Sequence, residues 1–406
     1  MFPLDIWKIL LNYLDLKSQI SLISSCLFLR NHLFITDLYH IDRNYLNSLT
    51  TDILKYPIFQ KVTHLHIVPC ANITNVSFMT SLKYLYNQNN FSIDQNSIRG
   101  LNLIELCVYF NTDIKNVSFM KSLKKLSAIS VCGINQNGIK GLDLIELDVA
   151  YNNKIYDVSF MKSLKILNAT DCSINQNGIK NLNLTKLIAF DNAEITNISF
   201  MKSLKYLDAS SFCGIDQNGI KNLDLNEFRA MDNKKITNIS FMKSLQVLDA
   251  SGEKCGIKQQ SIIGLNLITL YANNNKNIIN VSFMKSLKIL HAEGICGIDQ
   301  SAIKDLELHT LNTYNNKKIF NVSFMKSLKI LDAQCQSGIN QNGISGLNLI
   351  SLDASNNCKI TNVSFMKSLK ILNVFGHCGI GPNGIIGLDA EILDTDFNMK
   401  FNTYGK

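Results

Sequence analysis

Four prolines and one tryptophan in 406 residues leave this chain short of breakers and of its largest side chain. With 46% apolar and 18% charged residues and so little proline, it offers no tract that reads as a disordered linker. Long hydrophobic runs are missing too. None approaches the roughly 18 residues a membrane helix needs, so no membrane partner is expected. The opening Met1-Phe2-Pro3-Leu4-Asp5 puts a proline and an acid where a secretory signal carries bases. A cytoplasmic or nuclear location follows as the expectation. Also absent are a G-x-S-x-G elbow, a phosphate loop, a C-x-x-C pair and any Cys/His group at metal spacing. No catalysis, cofactor or metal is therefore expected. An enzyme concentrates unlike residues at one place, whereas this chain distributes the same residues again and again.

What is present is repetition. Val117-Ser118-Phe119-Met120-Lys121-Ser122-Leu123-Lys124 returns with small changes, its first serine at Ser77, Ser118, Ser159, Ser199, Ser240, Ser282, Ser323 and Ser364. Each period of about 41 residues holds two leucine-rich pieces, such as Leu349-Ile350-Ser351-Leu352-Asp353-Ala354 and Leu369-Lys370-Ile371-Leu372-Asn373-Val374. Their central apolar residues run from Leu85 and Leu106 to Leu372 and Leu393 in steps of 20 to 22, and Leu65 marks an earlier strand. Asparagine stands five places past the centre in alternate pieces, at Asn111, Asn152, Asn192, Asn233, Asn275, Asn316 and Asn357. The other pieces put a cysteine near that place, at Cys132, Cys172, Cys213, Cys255, Cys296 and Cys378, with Cys335 out of register.

This spacing resembles the leucine-rich-repeat pattern L-x-x-L-x-L-x-x-N/C-x-L. It implies an α/β solenoid: a horseshoe of about 16–17 short repeats in double units of about 41 residues. The asparagine amide is expected to satisfy turn backbone, and the small cysteine to fill the same slot. Eleven cysteines, an odd number, spaced mostly by whole repeats, suit a reducing compartment. The glycine of Gln136-Asn137-Gly138-Ile139 and its copies is expected to supply a turn conformation. The Phe and Met of the Ser-Phe-Met segment are expected to point into the core.

Residues 1–45 lack the repeat and read as helices. Ile6, Ile9, Leu10, Tyr13 and Leu14 share one helical face begun by Pro3, Ser18 is a plausible N-cap, and a second helix runs from Ile20 through Leu29. Residues 46–60 read as a connecting helix ended at Pro57. Phe2-Pro3-Leu4-Asp5-Ile6, Tyr13-Leu14-Asp15-Leu16 and Ser25-Cys26 resemble an F-box, departing from that family's pattern at Phe2, Ser25 and Leu29. The resemblance implies docking of a Skp-type adaptor through Pro3, Ile6, Leu10, Leu14 and Leu16. Composition and near-verbatim copying resemble the F-box/leucine-rich-repeat families of giant viruses and amoebae; a viral source would place the protein in host cytoplasm or nucleus.

In such repeats the residues between the leucines face outward from the core. Lys83, Lys124, Lys165, Lys205, Lys288, Lys329 and Lys370 form a column, interrupted by Gln246, with Asp208, Asp249 and Asp332 beside it. The candidate target-binding residues are Lys124, Lys165, Lys205, Arg229, Tyr271, Lys288, His291, Lys329 and Lys370; the same columns also read as a solvated face of compensating charges. The net charge of +8 lies outside residues 1–50, whose charges cancel. Because bases are interleaved with acids and form no arginine-rich cluster, nucleic acid is a disfavoured partner. The domains expected are a helical F-box at 1–45, a connecting helix at 46–60, the solenoid at 61–395 and a C-terminal cap at 396–406. The function the resemblance implies is substrate recognition in a Skp–cullin–F-box ubiquitin ligase, with ubiquitin transfer left to other subunits. The alternative is a repeat scaffold without a ligase link, its N-terminal helices only a cap.

Overall fold

The computed structural model describes residues 3–69, 72–88 and 92–393, and the chain divides into two compact units, Met1–Ile195 and Thr196–Lys406. The first unit opens with α1 (Leu4–Leu11), α2 (Leu16–Ser24) and α3 (Leu27–His32). Pro3 sits at the N-cap of α1, where its missing N–H costs nothing. The helix stops at Leu11, so Tyr13 and Leu14 lie in the turn that follows. Asp15 caps α2, rather than Ser18: its Oδ1 accepts the Ser18 backbone N–H at 2.8 Å. A side-chain acceptor three residues before a free N–H is the ordinary capping geometry, which makes Ser18 the recipient. Helix α2 ends at Ser24 and does not run on to Leu29, because Cys26 Sγ accepts the Leu29 N–H and starts α3.

The all-helical reading of residues 1–45 misses β1 (Asp37–Leu38), which pairs in parallel with β2 (His64–Ile67) and extends the sheet before the first repeat. A single helix over 46–60 is not formed. Instead α4 (Arg43–Ser48), α5 (Thr51–Leu54) and a 3-10 turn at Pro57–Phe59 follow one another, restarted by Asp42 and Thr50 side chains that accept the N–H groups of Asn44 and Ile53. Pro57 opens the last turn where the sequence reading has it end one. Leu11, Leu16, Ile23, Leu29, Leu33, Ile35 and Leu38 are buried and join these pieces into one core.

The rest of this unit is a parallel ladder of short strands: β3 (Tyr84–Gln88), β4 (Glu105–Tyr109), β5 (Lys125–Ile129), β6 (Glu146–Asp148), β7 (Ile166–Asn168) and β8 (Lys186–Ile188). The central leucines, Leu65, Leu85, Leu106, Leu126, Leu147, Leu167 and Leu187, lie in register across it and are buried. The second unit repeats the plan with β9 (Tyr206–Asp208), β10 (Glu227–Arg229), β11 (Val247–Asp249), β12 (Thr269–Tyr271), β13 (Ile289–His291), β14 (Thr310–Asn312), β15 (Ile330–Asp332), β16 (Ser351–Asp353), β17 (Ile371–Asn373) and β18 (Glu391–Leu393). At its end Leu372 faces Ile392, so Leu393 is one residue past the central position the sequence suggests. The expected cap at 396–406, with Phe397, Met399 and Phe401, lies outside the described residues.

Buried amides tie successive coils together. Asn275 is fully buried; its Nδ2 donates to the carbonyls of Ala250 at 2.7 Å and Ile257 at 3.1 Å, and its Oδ1 accepts the Asn277 N–H at 2.9 Å. Asn152, Asn233, Asn316 and Asn357 make the same bonds at the matching position of their own double repeats. Asn192 does so as well. In the other coils Cys132, Cys172, Cys213, Cys255 and Cys296 are buried thiols outside any disulfide. Burial pushes the Cys172 and Cys296 thiols up to about 11 and Cys255 to about 12, which keeps them protonated and inert. Where Cys335 is out of register, Ser337 holds the slot; its hydroxyl lies 2.9 Å from Thr313 Oγ1, and Thr313 stands where other coils have alanine.

A second ladder comes from glutamine. Gln341 Oε1 accepts the N–H groups of Thr361 and Asn362 at 2.9 and 2.8 Å, while its Nε2 donates to the Asn362 carbonyl at 2.8 Å. Gln95, Gln136, Gln217, Gln259 and Gln300 each clamp the following double repeat likewise. The adjoining glycine is needed for closeness, and not for the turn conformation expected of it. A Cβ on Gly343 would sit 2.2 Å from the Phe320 carbonyl oxygen, and one on Gly138 would sit 2.1 Å from that of Lys115. In the Ser-Phe-Met segments Met120, Met161, Met242 and their copies are buried, but Phe119, Phe241, Phe324 and Phe365 are partly exposed. Methionine alone fills the core there because it can bend into the gap between layers.

Candidate functional site

Two surfaces stand out, neither of them a cleft with reactive groups. The first is on the N-terminal helices. Only Leu11 of α1 is buried; Ile6, Leu10 and Leu14 are exposed, Ile9 is 57% exposed and Tyr13 84%. Leu27 is 71% exposed and Phe28 is also open. Pro3, Ile6, Leu10 and Leu14 are thus at the surface, as a docking role requires, whereas Leu16 is 4% exposed and belongs to the helical core. Its place at the first position of α2 turns it inward, so it cannot touch an adaptor directly. Apolar side chains left open together mark a contact surface, because each forgoes part of the roughly 1.5–3 kcal/mol that full burial would give.

The second surface is the face of the strands. Side chains on either side of the central leucine stand on it in two columns. Asn168 in the first unit, and Asp208, Arg229, Asp249, Tyr271, His291, Asp332 and Asp353 in the second, occupy the second column of their own ladders, as the alternation requires. The lysine column is elsewhere. Lys124, Lys165, Lys205, Lys288, Lys329 and Lys370 each stand one residue before their strand, and His309 stands one before β14. They line the rim where strands begin: Lys205 Nζ reaches the Asp224 carbonyl at 3.3 Å, Lys288 Nζ that of Glu307 at 3.4 Å, and Lys370 Nζ lies 3.6 Å from Asp389. Of the nine candidate target-binding residues, Arg229, Tyr271 and His291 are on the face and the six lysines are not.

With the lysines at the rim, carboxylates dominate the face of the second unit. Burial raises Asp208, and raises Asp332 to about 6, where Asp353 and Glu293 add repulsion. Two local arrangements break this pattern. Arg229 donates through Nε and Nη2 to Glu227 at 3.1 and 3.0 Å, and its guanidinium carbon lies 5.7 Å from the Tyr206 ring centroid. The Tyr271 and His291 rings stack at 4.4 Å, with His291 Nδ1 3.6 Å from Glu293.

In the first unit, reading the repeat alone misses an aromatic group at β1–β3. His64 and Tyr84 stack at 4.1 Å and 4°, Tyr39 packs against Tyr86 at 4.5 Å and His66 at 5.6 Å, and Tyr86 Oη donates to Glu105 at 3.0 Å. Burial and Glu105 push the Tyr86 phenol well above its usual range. The signal was legible: His64-Leu65-His66 and Tyr84-Leu85-Tyr86 put aromatic rings on both outward positions of a strand. Among the described residues no group of His, Cys, Asp and Glu is arranged to hold a metal, and no helix is long and apolar enough to cross a membrane.

Comparison with known proteins places the fold. The chain aligns with the TLR13–ssRNA13 complex structure at TM-score 0.51 and 20% identity, covering 89% of this chain and 67% of that one. It also aligns with the functional domain of InlJ from Listeria monocytogenes, which includes a cysteine ladder, at 0.41 and 18%, covering 79% and 70%. Rad7, solved with Elc1 from yeast, matches at 0.39 and 14%, covering 72% and 81%. TLR13 is a leucine-rich-repeat protein, and this chain has the leucine-rich-repeat fold. No protein-family model matches the chain, and no curated protein matches it.

Proposed function

We propose that this leucine-rich-repeat scaffold is the substrate-recognition subunit of a Skp–cullin–F-box ubiquitin ligase. The observation that carries the reading is the apolar surface of the N-terminal helices. Ile6, Ile9, Leu10, Tyr13 and Leu14 face outward on an element that already has a core of its own, formed by Leu11, Leu16, Ile23 and Leu29. A helical cap that served only to cover the first repeat would bury its apolar face against the strands and present a polar one. Here the apolar side is open. The F-box resemblance assigns it to a Skp-type adaptor, and the repeats are left to hold a target protein in the cytoplasm or nucleus. Such a receptor works by proximity: joining two binding sites raises the effective concentration of target lysines near the charged enzyme. Transfer itself belongs to other subunits.

Co-purification of the full chain with a Skp adaptor tests this, alongside a Leu10→Glu/Leu14→Glu variant. Both positions are exposed, so the variant should keep its melting temperature while losing the adaptor. Leu16 is unsuitable because glutamate there would unfold the helices. If the intact chain captures no adaptor, the helices serve a different partner and the scaffold stands without a ligase link.

A further inference from the structure

The two units carry the same pair of residues in the same register. In the second unit Tyr206 of β9 faces Glu227 of β10, and in the first Tyr84 of β3 faces Glu105 of β4. Around the Tyr206–Glu227 pair the chain supplies its own ligand. Arg229, two residues after the glutamate, lays its guanidinium toward the Tyr206 ring while donating two hydrogen bonds to the Glu227 carboxylate. In the first unit the position matching Arg229 is Cys107, a short side chain with 8% exposure. The tyrosine and the glutamate are there, but the arginine between them is not.

We propose that the Tyr84–Glu105 pair docks an arginine side chain of a partner protein, in the place Arg229 fills internally. His64 stacks on the β2 side of the Tyr84 ring at 4.1 Å. The opposite ring face therefore looks toward β4, where Glu105 stands. One Glu105 oxygen takes the Tyr86 hydroxyl at 3.0 Å, which fixes the carboxylate and leaves its other oxygen for a guanidinium. A planar guanidinium suits this site better than an ammonium, since it can lie on an aromatic face and hydrogen-bond in its own plane at once. Tyr39 and Tyr86 widen the aromatic platform, and Asp37, opposite His64 on β1, adds a second carboxylate at its edge. Lys125, opposite Glu105 on β5, is engaged by Glu146 at 3.3 Å, so carboxylates still outnumber it and local charge favours a cation although the whole chain carries +8. The same carboxylates oppose a nucleic-acid phosphate.

This deepens the target-binding half of the proposed function and does not depend on the adaptor half. The test uses the full chain and a fluorescein-labelled peptide of alternating arginine, glycine and serine, with anisotropy as the readout. Peptides with lysine or serine in place of arginine, and a uridine oligonucleotide, serve as comparators. The arginine peptide should bind at least tenfold more tightly than the lysine peptide. Tyr84→Ala and Glu105→Gln should each weaken it at least tenfold, and Cys107→Arg, which supplies the arginine in cis, should abolish binding with both recognition residues intact. Melting curves of the three variants establish that they are folded. Equal binding of arginine and serine peptides, unchanged affinity in folded Tyr84→Ala and Glu105→Gln, or loss in those variants of a preferred oligonucleotide would each overturn the proposal. Adaptor capture is read separately, so failure here leaves that result standing.

Discussion

Replacing Asn275 with alanine should cost about 3–6 kcal/mol of stability. The magnitude follows from what the amide holds: two buried carbonyls, of Ala250 and Ile257, and the part-buried N–H of Asn277. Leaving a buried backbone group without its partner costs roughly 1–3 kcal/mol; two buried carbonyls are affected at one stroke, and the part-buried N–H adds a smaller cost. Against a total of about 5–15 kcal/mol for a typical folded domain, the loss is large. In a repeat protein it is also local, because each coil leans only on its neighbours. Urea unfolding followed by far-UV circular dichroism measures the total. Tryptophan fluorescence would not serve, since the one tryptophan, Trp7, is in α1. Hydrogen exchange should accelerate first at residues 250–280. Asn275→Asp separates the contributions: it keeps the acceptor for Asn277 but sets a carboxylate against two carbonyls. Its folded-state pKa should therefore rise, so the variant regains stability as pH falls toward 4. A loss under about 1 kcal/mol for Asn275→Ala, or no pH dependence for Asn275→Asp, would refute the reasoning.

Other perturbations probe the same logic. Gly343→Ala should destabilise by more than about 2 kcal/mol in urea, because its Cβ would meet the Phe320 carbonyl oxygen at 2.2 Å. Thr313→Ala alone should leave Ser337 without its hydroxyl partner and cost about 1 kcal/mol, while Thr313→Ala with Ser337→Cys restores the common pattern and recovers most of it; a double-mutant cycle reads the coupling. Asp332 has a folded pKa of about 6, raised from 3.8, so its ionised form opposes folding above that value and stability should increase as pH falls from about 7 toward 4. Asp332→Asn should remove that slope and stabilise the protein by about 1 kcal/mol at pH 8, after allowance for solvent screening. Thiol labelling mapped by peptide mass should find Cys26 and Cys358 reacting in the native protein, and Cys132, Cys213, Cys255 and Cys296 only on unfolding.

Much of the fold is legible because a repeat states its own register. A period of about 41 residues divided in two, with Leu at the centre and Asn five places on, requires coils that stack their leucines and turn at the same place. Thus the asparagine and cysteine slots, the strand positions and the outward columns of Asp208, Asp249 and Asp332 follow from spacing. The helices are less legible, since capping is a contest between neighbouring polar residues. Asp15 and Ser18 are both good caps, and only the path of the chain selects Asp15. The lysines misled because an L-x-x-L-x-L string does not say where its strand begins. All six candidate lysines fall one residue short, so they line a rim.

By itself the sequence determined the leucine-rich-repeat architecture, the buried ladders and an N-terminal segment of another kind, since these rest on periodicity and composition that any stacking must obey. Only the tertiary structure decided which side chains meet. It turned Leu16 inward and left Ile6, Ile9, Leu10 and Leu14 outside. It made the repeated glycine a matter of close approach to the next coil. It also brought Tyr84 beside Glu105 while Arg229 fills the matching site between Tyr206 and Glu227. Residues about 20 apart become neighbours only when parallel strands set them side by side, and that proximity, absent from the linear order, is where recognition arises.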